Sequence, residues 1–259
     1  MISGDALPDL QVAVMNEEPV FPPLLNGIEV APGTDTARVA TAAVMAGEAG
    51  AGDLYWSQSE DRLNMAIVLE PDVPLSRAAQ VRHVLAVAFG DAFGAISPPE
   101  IGVHYRWPGD ILVNGARAGA ITLDVPAGLT ADQVPAWMVL GLDVAITLDL
   151  SIENPGELPD STTLHEEGAG EVTRTMLLES VSRHFLTWID GWMNEGFRSV
   201  HENWLGRATG SDEDITVCHA GTIVSGRVTG MDEEGNLLFA TADKPVQALA
   251  LVDTVEGHA

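Results

Sequence analysis

The amino-acid sequence predicts an α/β (α+β) fold in which a mixed sheet is flanked by helices. Two long segments, Ser76–Phe93 and Thr173–Asn194, carry apolar residues at helical spacing, and shorter strand-like segments surround them. Beyond Gly206 the pattern consists of short strands alone. The chain has 259 residues, of which 46% are apolar, so it is long enough to bury a sizeable core. We therefore expect one large domain followed by a small all-β region.

The first part of the chain begins with a capped helix and two strands. Asp35 is expected to cap a helix that ends near Gly47. Leu54–Trp56 and Leu63–Leu69 are predicted strands, and the second contains the continuous apolar run Met65–Leu69, which suits a buried position. The first long helix follows them.

Further strands are predicted at Val103–Trp107, Ile111–Asn114, Ala118–Leu123 and Trp137–Leu148. The dipeptide Asn114-Gly115 is typical of a two-residue hairpin turn. The second long helix is expected to end at Gly196, because glycine is the preferred residue after a helix C-terminus. Thr222–Thr229 and Leu237–Ala240 predict a hairpin near the end of the chain.

Three regions are predicted along the chain. Residues 1–23 contain four prolines and are interpreted as an extended N-terminal arm, too short for a helix-turn-helix module. Residues 24–206 form the large domain, and residues 207–259 form the small C-terminal one. The boundary is placed in Gly206–Asp214, which is rich in glycine, serine, threonine and aspartate.

The charge and composition exclude several classes of function. A formal charge of −26 argues against nucleic-acid partners and against anionic membrane surfaces. The single cysteine, Cys218, excludes an internal disulfide and a cysteine-cluster zinc site. The N-terminus does not resemble a signal peptide, and no apolar window reaches the length of a membrane span, so a cytoplasmic location is expected.

Common catalytic motifs are absent from the sequence. Lys244 is the only lysine, so no Walker phosphate loop is present, and neither H-E-x-x-H nor G-x-S-x-G occurs. Gly47, Gly50 and Gly52 are compatible with a plain turn or with a functional loop. His184 lies on an apolar helix stripe, where it is either a hydrogen-bonded core residue or a ligand.

Segment 104–121 carries the most specific signal, H-Y-R-W-P-G-D-I-L-V-N-G-A-R-A-G-A-I. It resembles, without a gap, the central signature of the biotin and lipoate protein ligase family, K-W-P-N-D-I-L-V-N-G-K-K-I-A-G-I. Segments 33–35, 64–67 and 164–168 are similar to other family segments in the same order. Gly226–Leu238 is similar to the hairpin of the family's small C-terminal β-barrel.

The resemblance implies a biotin/lipoate ligase-like domain and a specific reaction. ATP and Mg²⁺ would activate biotin, or a related acid such as lipoate, as an acyl-adenylate, and a lysine of a carrier protein would then receive the acyl group. Fixed cationic groups are the expected catalysts, because negative charge gathers on the phosphate oxygens. The resemblance is also compatible with a homodimer.

The resemblance also implies roles for individual residues. Arg117 and Arg106 occupy positions of family lysines and would act in catalysis together with Asp110, which is also the candidate Mg²⁺ ligand. Trp107 would wall the apolar part of the ligand. The remaining candidate substrate-binding residues are Thr34, Asp35, Gln58, Gly119 and Ala120.

Two departures from the family pattern keep a second hypothesis open. The family's G-R-G-R-x-G loop is replaced by the short, acidic interval Ser57–Leu63, in which Arg62 is the only cation. Gly109 stands where asparagine is usual. A non-catalytic member that binds a small carboxylic acid or a carrier protein is therefore the alternative, and a protein–protein interaction module is a third hypothesis.

Structural roles are the simpler explanation for several of these residues taken singly. Arg106 and Arg117 are also compatible with paired surface residues. Trp107 and Asp110 are compatible with a strand end and a turn, and Asp35 with a helix cap alone.

Overall fold

Two β-sheets and five α-helices form the part of the chain that this computed structural model describes, residues 18–148, 160–209, 214–219, 222–241 and 244–258. The helices are α1 Thr36–Met45, α2 Leu75–Ala78, α3 Val81–Gly94, α4 Arg174–Glu195 and α5 Arg198–Leu205. The strands are β1 Asn26–Val30, β2 Asp53–Ser57, β3 Arg62–Leu69, β4 Val103–Arg106, β5 Asp110–Val113, β6 Ala116–Pro126, β7 Met138–Ala145, β8 Asp214–His219, β9 Thr222–Met231, β10 Leu237–Thr241, β11 Lys244–Leu249 and β12 Glu256–His258.

The large sheet is mixed and has the strand order β1-β2-β3-β7-β6-β5-β4, with β12 paired to β6. The pairs β1–β2 and β12–β6 are parallel, whereas the other pairs of this sheet are antiparallel. Helix α1 packs on one face of this sheet, and α3 and α4 pack on the other. The predicted α/β class with a mixed, helix-flanked sheet is therefore confirmed.

Strand β3 is buried on both faces, which explains its apolar stretch Met65–Leu69. Leu63, Met65 and Ile67 belong to the main core, which α3 and α4 share. Ala66 and Val68 belong to a second, smaller core cluster with Ala40 of α1. Successive side chains of a strand point to opposite faces, so β3 is covered on both sides and needs apolar residues from Met65 onward.

The ends of α1 and α4 follow the signals in the sequence. The side chain of Asp35 accepts a hydrogen bond from the backbone N–H of Arg38 at the start of α1. Thr173 does the same for Met176 at the start of α4. Gly196, with φ of 86°, ends α4 as predicted.

The first long helix predicted from the sequence is interrupted. The structure has α2 and α3 in place of one helix over Ser76–Phe93. Between them, the N–H of Gln80 bonds the carbonyl of Arg77, and the N–H of His83 bonds the carbonyl of Gln80, so the helical ladder tightens locally. The side chain of Gln80 is held there by Trp192 and by the carbonyl of Glu234.

The small C-terminal sheet is an antiparallel meander in the order β11-β10-β9-β8. The turn between β9 and β10 docks on the large domain through the carbonyl oxygen of Gly235. That oxygen accepts hydrogen bonds from the indole nitrogen of Trp107 and from Nε2 of His83, both at 3.2 Å. The two sheets are therefore joined by buried polar contacts as well as by apolar packing.

Strand β12 was not predicted from the sequence. The chain leaves the small sheet through a 3-10 turn at Leu251–Thr254 and returns to the large sheet, where Glu256 pairs with Asp124. The backbone N–H of Ala127 donates to the carbonyl of His258 at 2.7 Å. The end of the described chain is thus part of the large sheet rather than of the small one.

Two ambiguous sequence features receive plain structural explanations. Gly47 and Gly52 have positive φ angles of 73° and 90°, and a Cβ on Gly52 would lie 2.6 Å from the carbonyl oxygen of Leu24, as expected for turn glycines. The Nδ1 atom of His184 lies 2.8 Å from the carbonyl oxygen of Ser180 in its own helix. No helix in the described ranges has both the length and the apolar character needed to cross a membrane.

Candidate functional site

Two adjoining cavities lie on the face of the large sheet that α1 covers. The large cavity, of about 600 Å³, lies between the N-terminal end of α1 and strands β2, β3, β6, β7 and β12. The small cavity, of about 390 Å³, lies between the first half of β6, the end of β7 and residues 161–166. Arg62, Ala120 and Asp143 line both cavities, so the two spaces meet at these three residues.

The N-terminal turn of α1 forms one wall of the large cavity, from Gly33 to Arg38. Gly33 has a φ of 73°, and its N–H donates to the hydroxyl of Ser59 at 2.9 Å, which fixes the loop that enters the helix. The Asp35 side chain caps the helix by accepting from the N–H of Arg38 at 3.1 Å. A helix N-terminus carries a partial positive charge, so this wall favours polar or anionic ligand groups.

A continuous hydrogen-bonded network forms the floor of the large cavity. Oδ1 of Asn64 accepts from the hydroxyl and the N–H of Thr36, and its Nδ2 donates to Asp143 at 2.6 Å. Asp143 also forms an ion pair with the guanidinium of Arg62. Asn64 and Asp143 are direct partners across β3 and β7, and Arg62 is two residues from Asn64 on the same face.

The other end of the large cavity carries an acidic and imidazole cluster. Nε2 of His258 lies 2.8 Å from Oδ1 of Asp124, and Glu256 lies on the same face of β12 as His258. The buried Asp124 also accepts a hydrogen bond of 3.4 Å from the hydroxyl of Thr41.

The small cavity is built on the start of β6. Residues 160–162 run beside this strand: the N–H of Arg117 donates to the carbonyl of Asp160, and the N–H of Thr162 donates to the carbonyl of Arg117. The Arg117 guanidinium, about half exposed, donates through Nε to Oδ1 of Asp110 at 2.8 Å. Thr162, Thr163 and Glu166 supply polar groups on the opposite wall.

The structure brings together five of the predicted site residues. Thr34, Asp35 and Ala120 line the large cavity, and Arg117, Gly119 and Ala120 line the small one. A Cβ on Gly119 would lie 2.2 Å from the carbonyl oxygen of Asp143, so this glycine permits the close pairing of β6 and β7 beneath the cavities.

Four predicted site residues lie outside the lining of both cavities. Trp107 is buried against the small domain through its bond to Gly235, so its ring packs between the two sheets rather than against a ligand space. Gln58 directs its amide to Glu29 on β1, although its neighbours Ser57 and Ser59 face the large cavity.

Asp110 and Arg106 form an ion-pair cluster with Arg117. One carboxylate oxygen of Asp110 accepts from Arg117, and the other lies 3.9 Å from the guanidinium of Arg106. Both oxygens of Asp110 thus face guanidinium groups, and its role as a Mg²⁺ ligand stays a prediction. The pairing agrees with the simpler structural explanation for the two arginines.

The buried Arg174 contacts the short turn between β2 and β3. This turn occupies the place at which the family's arginine-glycine loop is expected. Arg174 is the first residue of α4, and its guanidinium donates to the carbonyl of Gln58 and lies 5.2 Å from the ring centre of Trp56. Burial lowers the pKa of Arg174, and the nearby Glu60 and Glu29 oppose this shift. Arg174 therefore shapes the edge of the large cavity without lining it.

Sequence reasoning missed several residues that line the cavities, namely Asn64, Asp143, Asp124, Glu256 and His258. A usable signal existed for Asp143, because it is the single polar residue of the otherwise apolar strand β7. Asn64 and Asp124 share their strands with other polar residues and carry no such signal. Glu256 and His258 lie in a three-residue strand whose partner is about 130 residues earlier in the chain, and no local pattern indicates such a pairing.

The comparisons with known proteins agree with the fold. The model of the biotin/lipoate A/B protein ligase family matches residues 21–206. The chain belongs to this family. The resemblance noted from segment 104–121 is thereby confirmed.

Curated relatives include ligases from two bacterial genera. The chain is 26% identical over 197 residues to the bifunctional ligase/repressor BirA of Bacillus subtilis, covering 76% of this chain and 59% of that protein. It is 28% identical over 185 residues to the biotin–[acetyl-CoA-carboxylase] ligase of Paracoccus denitrificans, covering 71% of this chain and 76% of that protein. The chain therefore spans little more than half the length of the Bacillus relative.

Solved structures show the same fold. A biotin protein ligase-like protein of unknown function from Silicibacter is 34% identical, with a TM-score of 0.82 over 92% of this chain and 99% of the other. The biotin protein ligase of Aquifex aeolicus is 17% identical, with a TM-score of 0.69 over 87% of this chain and 95% of the other. At that lower identity the likeness concerns the fold.

Proposed function

We propose that this protein is an ATP-dependent ligase that activates biotin, or a related acid such as lipoate, and transfers it to a lysine of a carrier protein. The observation that carries the proposal is the meeting of two cavities at Arg62, Ala120 and Asp143. Two substrates that must react with each other, an acid and ATP, need neighbouring spaces with a shared boundary. Membership of the ligase family supports this chemistry.

The lining of each cavity guides the assignment of the two substrates. A space of about 600 Å³ lies in the range of small-molecule pockets, and the polar N-terminal end of α1 suits the polar groups of the acid. The small cavity, with its hydroxyl-bearing Thr162 and Thr163, is assigned to the nucleotide. The carboxylate of the acid would then lie at the shared boundary beside Arg62.

The reaction has two steps. In the first, a carboxylate oxygen attacks the α-phosphorus of ATP, which enters as its Mg²⁺ complex, and the bond from this phosphorus to the bridging oxygen breaks to release pyrophosphate. In the second, the lysine amine attacks the acyl carbon, AMP leaves, and the amine loses a proton. Both steps need cationic groups near the phosphate oxygens, and Arg62 and Arg117 are the cavity-lining candidates at and beside the boundary.

Acid-dependent release of pyrophosphate from ATP tests this proposal. We expect biotin or lipoate to stimulate release by the wild-type protein, and Arg62→Gln and Arg117→Gln to lower the rate by about 10²-fold or more. Arg183→Gln is a matched control, because Arg183 is an exposed residue of α4 whose side chain pairs only loosely with Glu179, at 3.8 Å. Absence of release with every acid tried would overturn the proposal.

A specific observation favours the second candidate, a family member that binds a small carboxylic acid without activating it. The guanidinium groups of Arg62 and Arg117 already face carboxylates, those of Asp143 and Asp110 respectively. The β2–β3 turn also offers Glu60 and Asp61 where phosphate-binding cations are expected. Calorimetry separates the candidates: the ligase binds both ATP and the acid, whereas the binding protein retains the acid alone.

A further inference from the structure

Three potential metal ligands converge at the end of the large cavity away from the small one. Glu256 and His258 are two residues apart on β12 and so share a face, and Asp124 is the direct register partner of Glu256 on β6. Asp124 is four residues along β6 from Ala120, or about 13 Å, so this cluster is separate from the boundary between the cavities.

The distances within the cluster suit a single ion. One ligand atom of each residue lies within 4.8 Å of those of the other two. Nε2 of His258 and Oδ1 of Asp124 are 2.8 Å apart. Two ligand atoms that each lie about 2.1 Å from one ion, at roughly a right angle, are themselves about 3 Å apart. The spacing of Nε2 and Oδ1 therefore matches that of two ligand atoms on one ion, which would replace the hydrogen bond between them.

The surroundings hold these side chains in place. Two of the ligands lie on β12 and one on β6, strands that are hydrogen-bonded to each other. The second oxygen of the buried Asp124 accepts from Thr41, which is the kind of outer contact that orients a metal-binding carboxylate. The guanidinium of Arg82 donates to the hydroxyl of Thr254 and interacts electrostatically with Glu256 and Asp124. Two carboxylates face this one cation, so negative charge is in excess at the cluster.

We propose that Asp124, Glu256 and His258 bind one divalent transition-metal ion, of the class of Zn²⁺ or Mn²⁺, on the wall of the large cavity. One imidazole nitrogen and two carboxylate oxygens form a donor set that suits these ions better than Ca²⁺, which prefers oxygen ligands alone. The remaining coordination positions face the cavity, where water or an oxygen of a bound molecule completes the shell. The site lies on the wall of the cavity that the proposed function assigns to the acid, but the binding of the metal requires neither the acid nor ATP.

Metal binding by the whole chain, without ATP or any acid, tests the site. Calorimetry with Zn²⁺ and with Mn²⁺ is expected to show one ion per chain for at least one metal. His258→Ala and Glu256→Gln are expected to weaken binding by at least about 10-fold. His184→Ala is the matched control, because His184 bonds only within its own helix, and it is expected to bind like the wild type.

A spectroscopic measurement guards against variants that merely unfold. Co²⁺ is expected to give visible absorption bands with the wild type and none with Glu256→Gln. The far-UV circular dichroism of this variant is expected to match that of the wild type, which would show that it is folded. Equal binding of the metal by the wild type, His258→Ala and Glu256→Gln would place the ion elsewhere and overturn the proposal. Absence of binding of both metals by the wild type would overturn it equally.

Discussion

Oδ1 of Asn64 accepts two hydrogen bonds from Thr36, one from the hydroxyl at 2.6 Å and one from the backbone N–H at 3.1 Å. This contact ties the first turn of α1 to the middle of the large sheet. The N–H groups of a helix's first turn have no partner within the helix, so Asn64 satisfies one of them from outside. The same side chain also positions Asp143, and one amide therefore organises two walls of the large cavity.

Asn64→Ala is expected to lower the free energy of unfolding by about 1–3 kcal/mol, because it leaves partly buried donors without their acceptor. Chemical denaturation measures this loss. The matched control is Asn203→Ala, since Asn203 is exposed and bonds only the carbonyl of Ser199 in its own helix. A similar loss in both variants would contradict a special role for Asn64.

Asp35→Ala is expected to destabilise the protein by about 1 kcal/mol, because the cap of α1 is removed. Asp35→Ser retains a capping oxygen and is expected to keep most of this stability. The serine variant separates capping from ligand recognition. If Asp35→Ser keeps its stability but no longer binds the acid in calorimetry, the Asp35 carboxylate contacts the ligand. If the variant binds the acid as the wild type does, Asp35 acts only as a helix cap.

Gly119→Ala is expected to cost about 1–3 kcal/mol or more, because the added methyl group would meet backbone atoms that cannot move aside easily. It would lie 2.2 Å from the carbonyl oxygen of Asp143 and 2.8 Å from Cα of Val144. Gly170→Ala is the control, since open space surrounds that position. Thermal unfolding of the two variants, compared with the wild type, measures the difference.

The stability of the protein is expected to fall in acid partly through His83. Complete burial lowers the pKa of this imidazole from 6.5 to about 3. Between these two pH values the imidazole is protonated in the unfolded chain but not in the folded protein. The stability that neutral His83 contributes is therefore fully present above pH 6.5 and is lost as the pH falls towards 3. One such proton gives a slope of at most about 1.4 kcal/mol per pH unit.

His83→Gln tests the source of that slope. A glutamine amide can still donate to the carbonyl of Gly235 and does not titrate in this range. Unfolding free energies measured between pH 7 and pH 4 are expected to fall less steeply in the variant than in the wild type. Equal slopes in the two proteins would show that other groups control the acid sensitivity.

Local signals in the sequence predict the helix ends and the buried strand well. Asp35, Thr173 and Gly196 act through contacts within a few residues, which a single sequence reveals. The apolar run of β3 likewise requires only that both faces of the strand be covered. The interruption between α2 and α3 was missed, because Gln80 is held by Trp192 and by the distant Glu234.

The cavities were only partly predictable. Helix α1 and the hairpin of β5 and β6 bring Thr34, Asp35, Arg117, Gly119 and Ala120 to the cavities, as expected from their motifs. Asp143 and His258 were missed, since their roles depend on which strands become neighbours. The sequence also shows that Trp107 is buried without showing which neighbour buries it.

The indole of Trp107 fastens the large sheet to the turn of the small one at Gly235. Replacing Trp107 would weaken the contact between the two sheets rather than a contact with a bound molecule. A drop in turnover after such a replacement would therefore report a weakened assembly of the protein, and only variants at the cavity boundary would report the chemistry itself.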